Sequence, residues 1–274
     1  MAATLHTGKE LLDAGHLAAA IKQVTEEVKA NPGDAQRRTF LFELLCFSGD
    51  LDRARKQLDA VGQETADSQI AVQSYINLLN AEQKRRRLFS AGLRPKMPEA
   101  APYAETQLAA VDRFREGDVP GARELLEQAE AERPALTGSA DGKEFEDFKD
   151  ADDLIGPFLE IMIQDDYCWI PWEAVKSVSL TEPKHLRDLA WLPCSIELRS
   201  GSAGGAHLPV LYAGSYTQDD DAIRLGRITK WRDDVPDFSV GLGQKLFAAG
   251  DRDLAILEIR LLEFRENANA HSHS

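Results

Sequence analysis

Gly49-Asp50-Leu51-Asp52-Arg53-Ala54 reads as a tight turn followed at once by a new helix, and the same signature stands at Gly15-His16-Leu17 with Ala20 and at Gly117-Asp118-Val119 with Ala122. The first two glycines are 34 residues apart and the next interval is 68, twice 34. That is the period of the tetratricopeptide repeat, in which two antiparallel helices meet at a turn and stacked pairs build a curved solenoid. Solenoids present surfaces, so the pattern points to binding before catalysis.

The match extends to the positions that such a repeat needs. Small residues let paired helices approach, large apolar ones fill the seam, and a proline stops the second helix. The first window offers Gly8, Leu11, Ala20, Val24 and Pro32, the second Leu45, Ala54 and Leu58, the last Ala122, Leu126, Ala129 and Pro134. Between them, residues 69–89 keep helical apolar spacing (Ile70, Tyr75, Leu78, Leu79) but carry Gln83 where the turn glycine belongs, which predicts a degenerate third unit.

Composition bounds the rest. With 43% hydrophobic and 28% charged residues in 274, the chain is a globular one with room for two domains. No apolar run approaches the roughly 18 residues of a membrane span, and the amino terminus lacks a signal-peptide pattern, so a cytoplasmic protein without membrane insertion is expected. Cys46, Cys168 and Cys194 are odd in number and set among apolar neighbours, which suits buried reduced thiols. The net charge is −14, of which −11 falls in residues 141–274. Phosphate neutralisation needs a basic face, so nucleic acid is not an expected partner. The local exception is Lys84-Arg85-Arg86-Arg87 with Arg94 and Lys96, either a solvated helix face or a docking patch for an acidic segment.

Beyond a Gly/Ser/Asp/Glu-rich stretch at 136–147 that reads as a linker or exposed loop, the apolar period changes from helical to alternating. Phe158-Leu159-Glu160-Ile161-Met162-Ile163 and Tyr167-Cys168-Trp169-Ile170-Pro171-Trp172 read as a hairpin around Gln164-Asp165-Asp166, 175–180 as a strand, and 195–199 with 207–212 as a second hairpin. Residues 254–264 follow a Gly250-Asp251 turn but read better as a closing strand. The fold class is therefore α+β: tetratricopeptide-like helices over 1–138, a β-rich domain over 148–266 forming a small curved sheet or barrel with short helices, and a disordered polar tail at 267–274.

Longer motifs are more specific. Leu41-Phe42-Glu43-Leu44-Leu45-Cys46-Phe47-Ser48-Gly49-Asp50, Asp152-Asp153-Leu154-Ile155-Gly156-Pro157, Trp169-Ile170-Pro171, His185-Leu186-Arg187-Asp188-Leu189 with Trp191, and Leu225-Gly226-Arg227 with Trp231 together resemble the ImpE family, also called SciE or TagJ. The resemblance runs from about residue 5 to 265. It departs at Asp165-Asp166, where a glycine is more usual, and at Leu192 and Cys194 around Pro193. It implies an accessory protein of type VI secretion that binds a helix of the small sheath subunit TssB and in some systems contacts the ClpV ATPase.

On the tetratricopeptide geometry the first helix of each pair lines the concave side. The expected partner-binding residues are then Arg37, Arg38, Phe40, Leu41 and Leu44, with Arg85 and Arg86 nearby, receiving an amphipathic helix. Trp169, Trp172, Trp191 and Trp231, together with Arg187, Asp188, Arg224 and Arg227, form either core and internal ion pairs or a second face. In the rival reading that second set surrounds a small-ligand or catalytic pocket in residues 150–265. Asp150, Asp152 and Asp153 read as the cap of a helix starting at Leu154, and neither they nor Asp219-Asp220-Asp221 has calcium-loop spacing. No His, Cys or Gly-rich motif points to a metal, a cofactor or an enzyme, and none is expected.

Overall fold

The computed structural model describes residues 7–61 and 66–265; the tail expected from 267 lies outside the described residues. Helices α1 (Gly8–Asp13) and α2 (Leu17–Ala30), α3 (Ala35–Ser48) and α4 (Leu51–Asp59), and α6 (Ala104–Arg115) and α7 (Val119–Glu132) form three antiparallel pairs. The repeated Gly-Asp dipeptide has a local cause. Gly15, Gly49 and Gly117 all take the left-handed conformation, with φ of 84°, 81° and 84°, which ends the first helix. Asp50 and Asp118 then accept from the backbone N–H of Arg53 and Gly121, which starts the second. Where the glycine is missing the turn is missing too. Gln83 lies inside one unbroken helix, α5 (Ala66–Ala91), 26 residues and about 39 Å long.

The supposed linker at 136–147 is instead part of the sheet. It contains β1 (Gly138–Ala140) and β2 (Lys143–Phe145), and β1 pairs with β13 (Leu261–Phe264) from the far end of the chain. With β4 (Phe158–Ile163), β5 (Asp166–Pro171), β6 (Val175–Leu180), β7 (Trp191–Leu198) and β8 (Ala203–Pro209) they make one eight-stranded antiparallel sheet, ordered β2-β1-β13-β6-β7-β8-β4-β5. It does not close into a barrel: β2 and β5 are its two ends. The β5 edge is covered by the chain leaving α5, where the N–H of Lys96 donates to Tyr167 O (3.0 Å) and the N–H of Trp169 to Lys96 O (2.9 Å). A second sheet joins β3 (Phe148–Asp150), β11 (Leu246–Ala249) and β12 (Arg252–Ala255), and β9 (Thr229–Trp231) pairs with β10 (Gly241–Gly243). Residues 254–264 thus end β12, make a 3₁₀ turn and form β13.

The two halves share their cores. Met162, Trp191 and Leu225 pack among the buried residues of α1 to α5, while Phe158, Tyr167 and Trp169 pack with Leu88, Tyr103 and Val111 of the helical half. A third cluster, around Trp172, Phe148 and Phe264, is internal to the sheets. Burial of β4 on both faces explains why its run of residues is apolar at every position but Glu160.

Candidate functional site

Glu160 is the one charge in that run, and it organises the junction between the halves. Arg85 of α5 grips it with both ends of its guanidinium, Nε to Oε1 at 2.9 Å and Nη2 to Oε2 at 3.0 Å, and also donates to Leu211 O. Lys245 sits 2.9 Å from Glu160 Oε2 and donates to Asp150. The Tyr167 hydroxyl donates to Glu160 and accepts from Trp169 Nε1. All of these ionic groups are buried. Around them, Arg86 pairs with Glu82 at 3.0 Å and Lys84 with Asp166 at 2.8 Å, while Lys96 also reaches Asp166 and Arg94 reaches Asp112. The acidic partner of the basic run is therefore the chain itself. Asp165 and Asp166 at the hairpin turn both accept from Lys84.

Asp152 closes the cluster. It does not cap a helix at Leu154; residues 152–156 form a turn in which its two oxygens accept from the N–H groups of Leu154 and Gly241, each at 2.9 Å. Burial and the neighbouring Asp150 push its pKa up to about 8. Burial also acts to raise Glu160, but Arg85 and Lys245 outweigh it and hold that carboxyl well below the usual range. The two carboxyls have opposite consequences for stability. Between the unfolded value and about 8 the folded chain keeps a proton on Asp152 that the unfolded chain has lost, so this group lowers stability as pH rises through that window. Asp152→Asn should remove that slope. The stability of the variant relative to wild type is expected to rise from pH 4 to pH 8 and stay level above, on top of a constant cost because the amide must face one N–H. Urea titrations at several pH values measure it; a pH-independent difference contradicts the assignment.

Above the cluster lies an open cleft of about 1150 Å³. Arg85, Asp152 and Glu160 of the cluster line it, with Phe114 and Val119 of the last repeat and Tyr216 and Trp231 of the sheet half. Arg86 crosses the junction, stacking 3.8 Å from the Tyr216 ring centre and donating to Gly49 O at 2.7 Å.

The expected partner-binding set is not brought together. Leu41 and Leu44 are fully buried in the seam and Arg85 is locked in the ionic cluster, so these three cannot form a docking surface. Arg37, Arg38 and Phe40 remain partly exposed at the start of α3, Arg37 beside Asp34 and Arg38 donating to Pro32 O and Gln57. Arg86 lies at the other end of that helix, on the order of 20 Å away.

The second set also disperses. Trp169, Trp172 and Trp191 are core, and only Trp231 is open, at 39% exposure. Arg187 pairs with Glu43 of α3 at 2.9 Å and stacks on Tyr75, while Asp188 accepts from the N–H groups of Lys184 and His185. With Trp191 they line a 220 Å³ cavity. Arg224 is tied to Asp221 and Tyr216 O, and Arg227 donates to Leu12 O and Asp13 O at the end of α1. These arginines fasten the sheet half to itself and to the helices.

The chain is 37% identical over 257 residues to the type VI secretion system accessory component TagJ of Pseudomonas aeruginosa, a match spanning 93% of this chain and 90% of the relative. The chain belongs to the ImpE family. The ImpE protein family model matches residues 142–263 of this ImpE chain, and a tetratricopeptide repeat model matches 11–77. A crystal structure of a Vibrio parahaemolyticus protein superimposes with a TM-score of 0.88, covering 95% of this chain and 98% of that one at 24% identity, so the two share a fold. Among the described residues no helix is long and apolar enough to cross a membrane.

Proposed function

We propose that this ImpE chain is a non-enzymatic, cytoplasmic adaptor of a type VI secretion system, holding a helix of the small sheath subunit TssB and linking it to the ClpV ATPase. The observation that carries the reading is the likeness, over nearly the whole of both chains, to an accessory component of that system. The helix-receiving face is the start of α3, where Arg37, Arg38 and Phe40 retain exposure while Leu41 and Leu44 stiffen the helix from behind. Apolar anchors at i, i+3 and i+4 of the partner would meet Phe40.

Because the halves share cores, the test uses the full chain. Immobilised protein is expected to retain purified TssB, to retain ClpV once TssB is bound, and to lose at least about tenfold in TssB affinity on Phe40→Asp, as for an interface anchor. Failure of the wild-type chain to retain either protein defeats the adaptor reading. Retention undiminished by Phe40→Asp moves the face elsewhere.

A further inference from the structure

The turns that gave the sequence its rhythm are not equivalent in their surroundings. At the Gly15 turn Arg227 donates to Leu12 O at 2.6 Å and Asp13 O at 3.1 Å, the carbonyls three and two residues before the glycine. At Gly49 the carbonyl takes Arg86, whose guanidinium lies on Tyr216. The left-handed Gly92 after α5 is overlaid by Arg115. Only at Gly117, among these four, is there open space: nothing stands within 4 Å of where a Cβ would be. That turn faces the 1150 Å³ cleft.

We propose that the cleft is a docking site for a basic amphipathic segment of a partner protein, with an arginine placed at the Gly117 turn as Arg227 is placed at the Gly15 turn. The equivalent carbonyls are those of Phe114 and Arg115, at the negative end of the α6 dipole. The cleft suits such a segment on two further counts. The cations lining it, Arg85, Arg86, Arg115, Lys230 and Arg232, are paired within the chain with Glu160, Glu82, Asp112, Asp220 and Asp234, which leaves Asp219 and Asp233 on the rim exposed and without an ion pair among the described residues. The cleft lining offers Trp231, the open tryptophan; the Phe114 ring already carries the chain's own Arg232 at 5.1 Å, so Trp231 is the aromatic face left for an incoming arginine, a recurrent centre of binding energy. This rests on the adaptor reading in one respect: an adaptor needs a second surface, and the cleft lies apart from Phe40.

The test uses the full-length chain with a photo-crosslinking amino acid at Thr217 or Asp233 on the rim, at Phe40, or at the exposed Glu127 of α7 outside the cleft. The probe is a synthetic amphipathic helix with arginines along its polar face; its control carries glutamates instead. Crosslinks to the arginine peptide are expected from 217 and 233 and not from 40 or 127, with none to the glutamate peptide. Asp219→Lys with Asp233→Lys should weaken capture about tenfold, and added salt should weaken it further. Equal capture of both peptides, crosslinks as strong from 127 as from the rim, or capture unchanged by the charge reversal overturns the proposal. Crosslinks from 40 alone also overturn it, and leave the α3 face standing.

Discussion

Arg85→Met is expected to lower the unfolding free energy by about 3–5 kcal/mol, because it strips one cation from a buried carboxylate. Glu160 would keep Lys245 and the Tyr167 hydroxyl, but lose both of its guanidinium bonds, and Leu211 O would lose its donor. Although Arg85 and Glu160 line the cleft, both are buried, as is Lys245, so the lost bonds are not exchanged for bulk water. The pH response should change with it. Glu160 is ionised well below the usual carboxylate range in the folded chain, so its contribution is full above the unfolded value and is lost as pH falls through the folded one. Without Arg85 the folded value rises, and acid unfolding should begin at higher pH. Urea denaturation at neutral pH and an acid titration by circular dichroism measure the two effects.

The matched pair separates a buried charge from a missing bond. Arg85→Met with Glu160→Leu removes both charges, and Lys245 retains Asp150. Ion pairs replaced as a unit by apolar groups of similar size are often neutral, so the double variant should recover much of what the single one loses. A single-variant cost below about 1 kcal/mol, the range of exposed pairs, would show that water reaches the cluster.

What was legible in the sequence follows from how local the chemistry is. The glycine that ends a helix and the residue that starts the next, an aspartate in two turns and His16 in the first, are adjacent, so three repeat turns could be read directly, and so could the unit that lacks them. The 158–172 hairpin was legible for the same reason. The strands at 138–145 were not: each is three residues long, and β1 is ordered by β13, more than a hundred residues away. The basic run hid its partner likewise, since Lys84 and Arg85 meet Asp165, Asp166 and Glu160 only after α5 lies along the β4–β5 hairpin. A signal for the ionic cluster was present in Glu160, a carboxylate set in an apolar strand. Its companions Asp150 and Lys245 carried none. The arginines of the second half bond to Glu43 and to the end of α1, a weld between halves that no motif spacing encodes.

Gly49→Ala should cost roughly 2–5 kcal/mol, while Gly117→Ala costs about 1–2. The backbone share is common to both, because φ is 81° at Gly49 and 84° at Gly117 and a Cβ is disfavoured in either. The surroundings differ. A Cβ at Gly49 would press on the root of the Tyr216 side chain, 2.9 Å from its Cγ and 3.1 Å from its Cβ, and a side chain's root cannot swing aside as its tip can. At Gly117 it would meet nothing. Tyr216→Ala isolates the steric share: in that background Gly49→Ala should fall to the cost seen at Gly117, with the difference read as a coupling between positions 49 and 216 in urea melts of the four chains. If instead Gly49→Ala costs the same with and without the tyrosine, conformation alone requires the glycine. The contact of Tyr216 with the Gly49 turn would then be loose enough to yield to a methyl group, and the sheet half would be held to the helices by its arginines and shared core rather than by this contact.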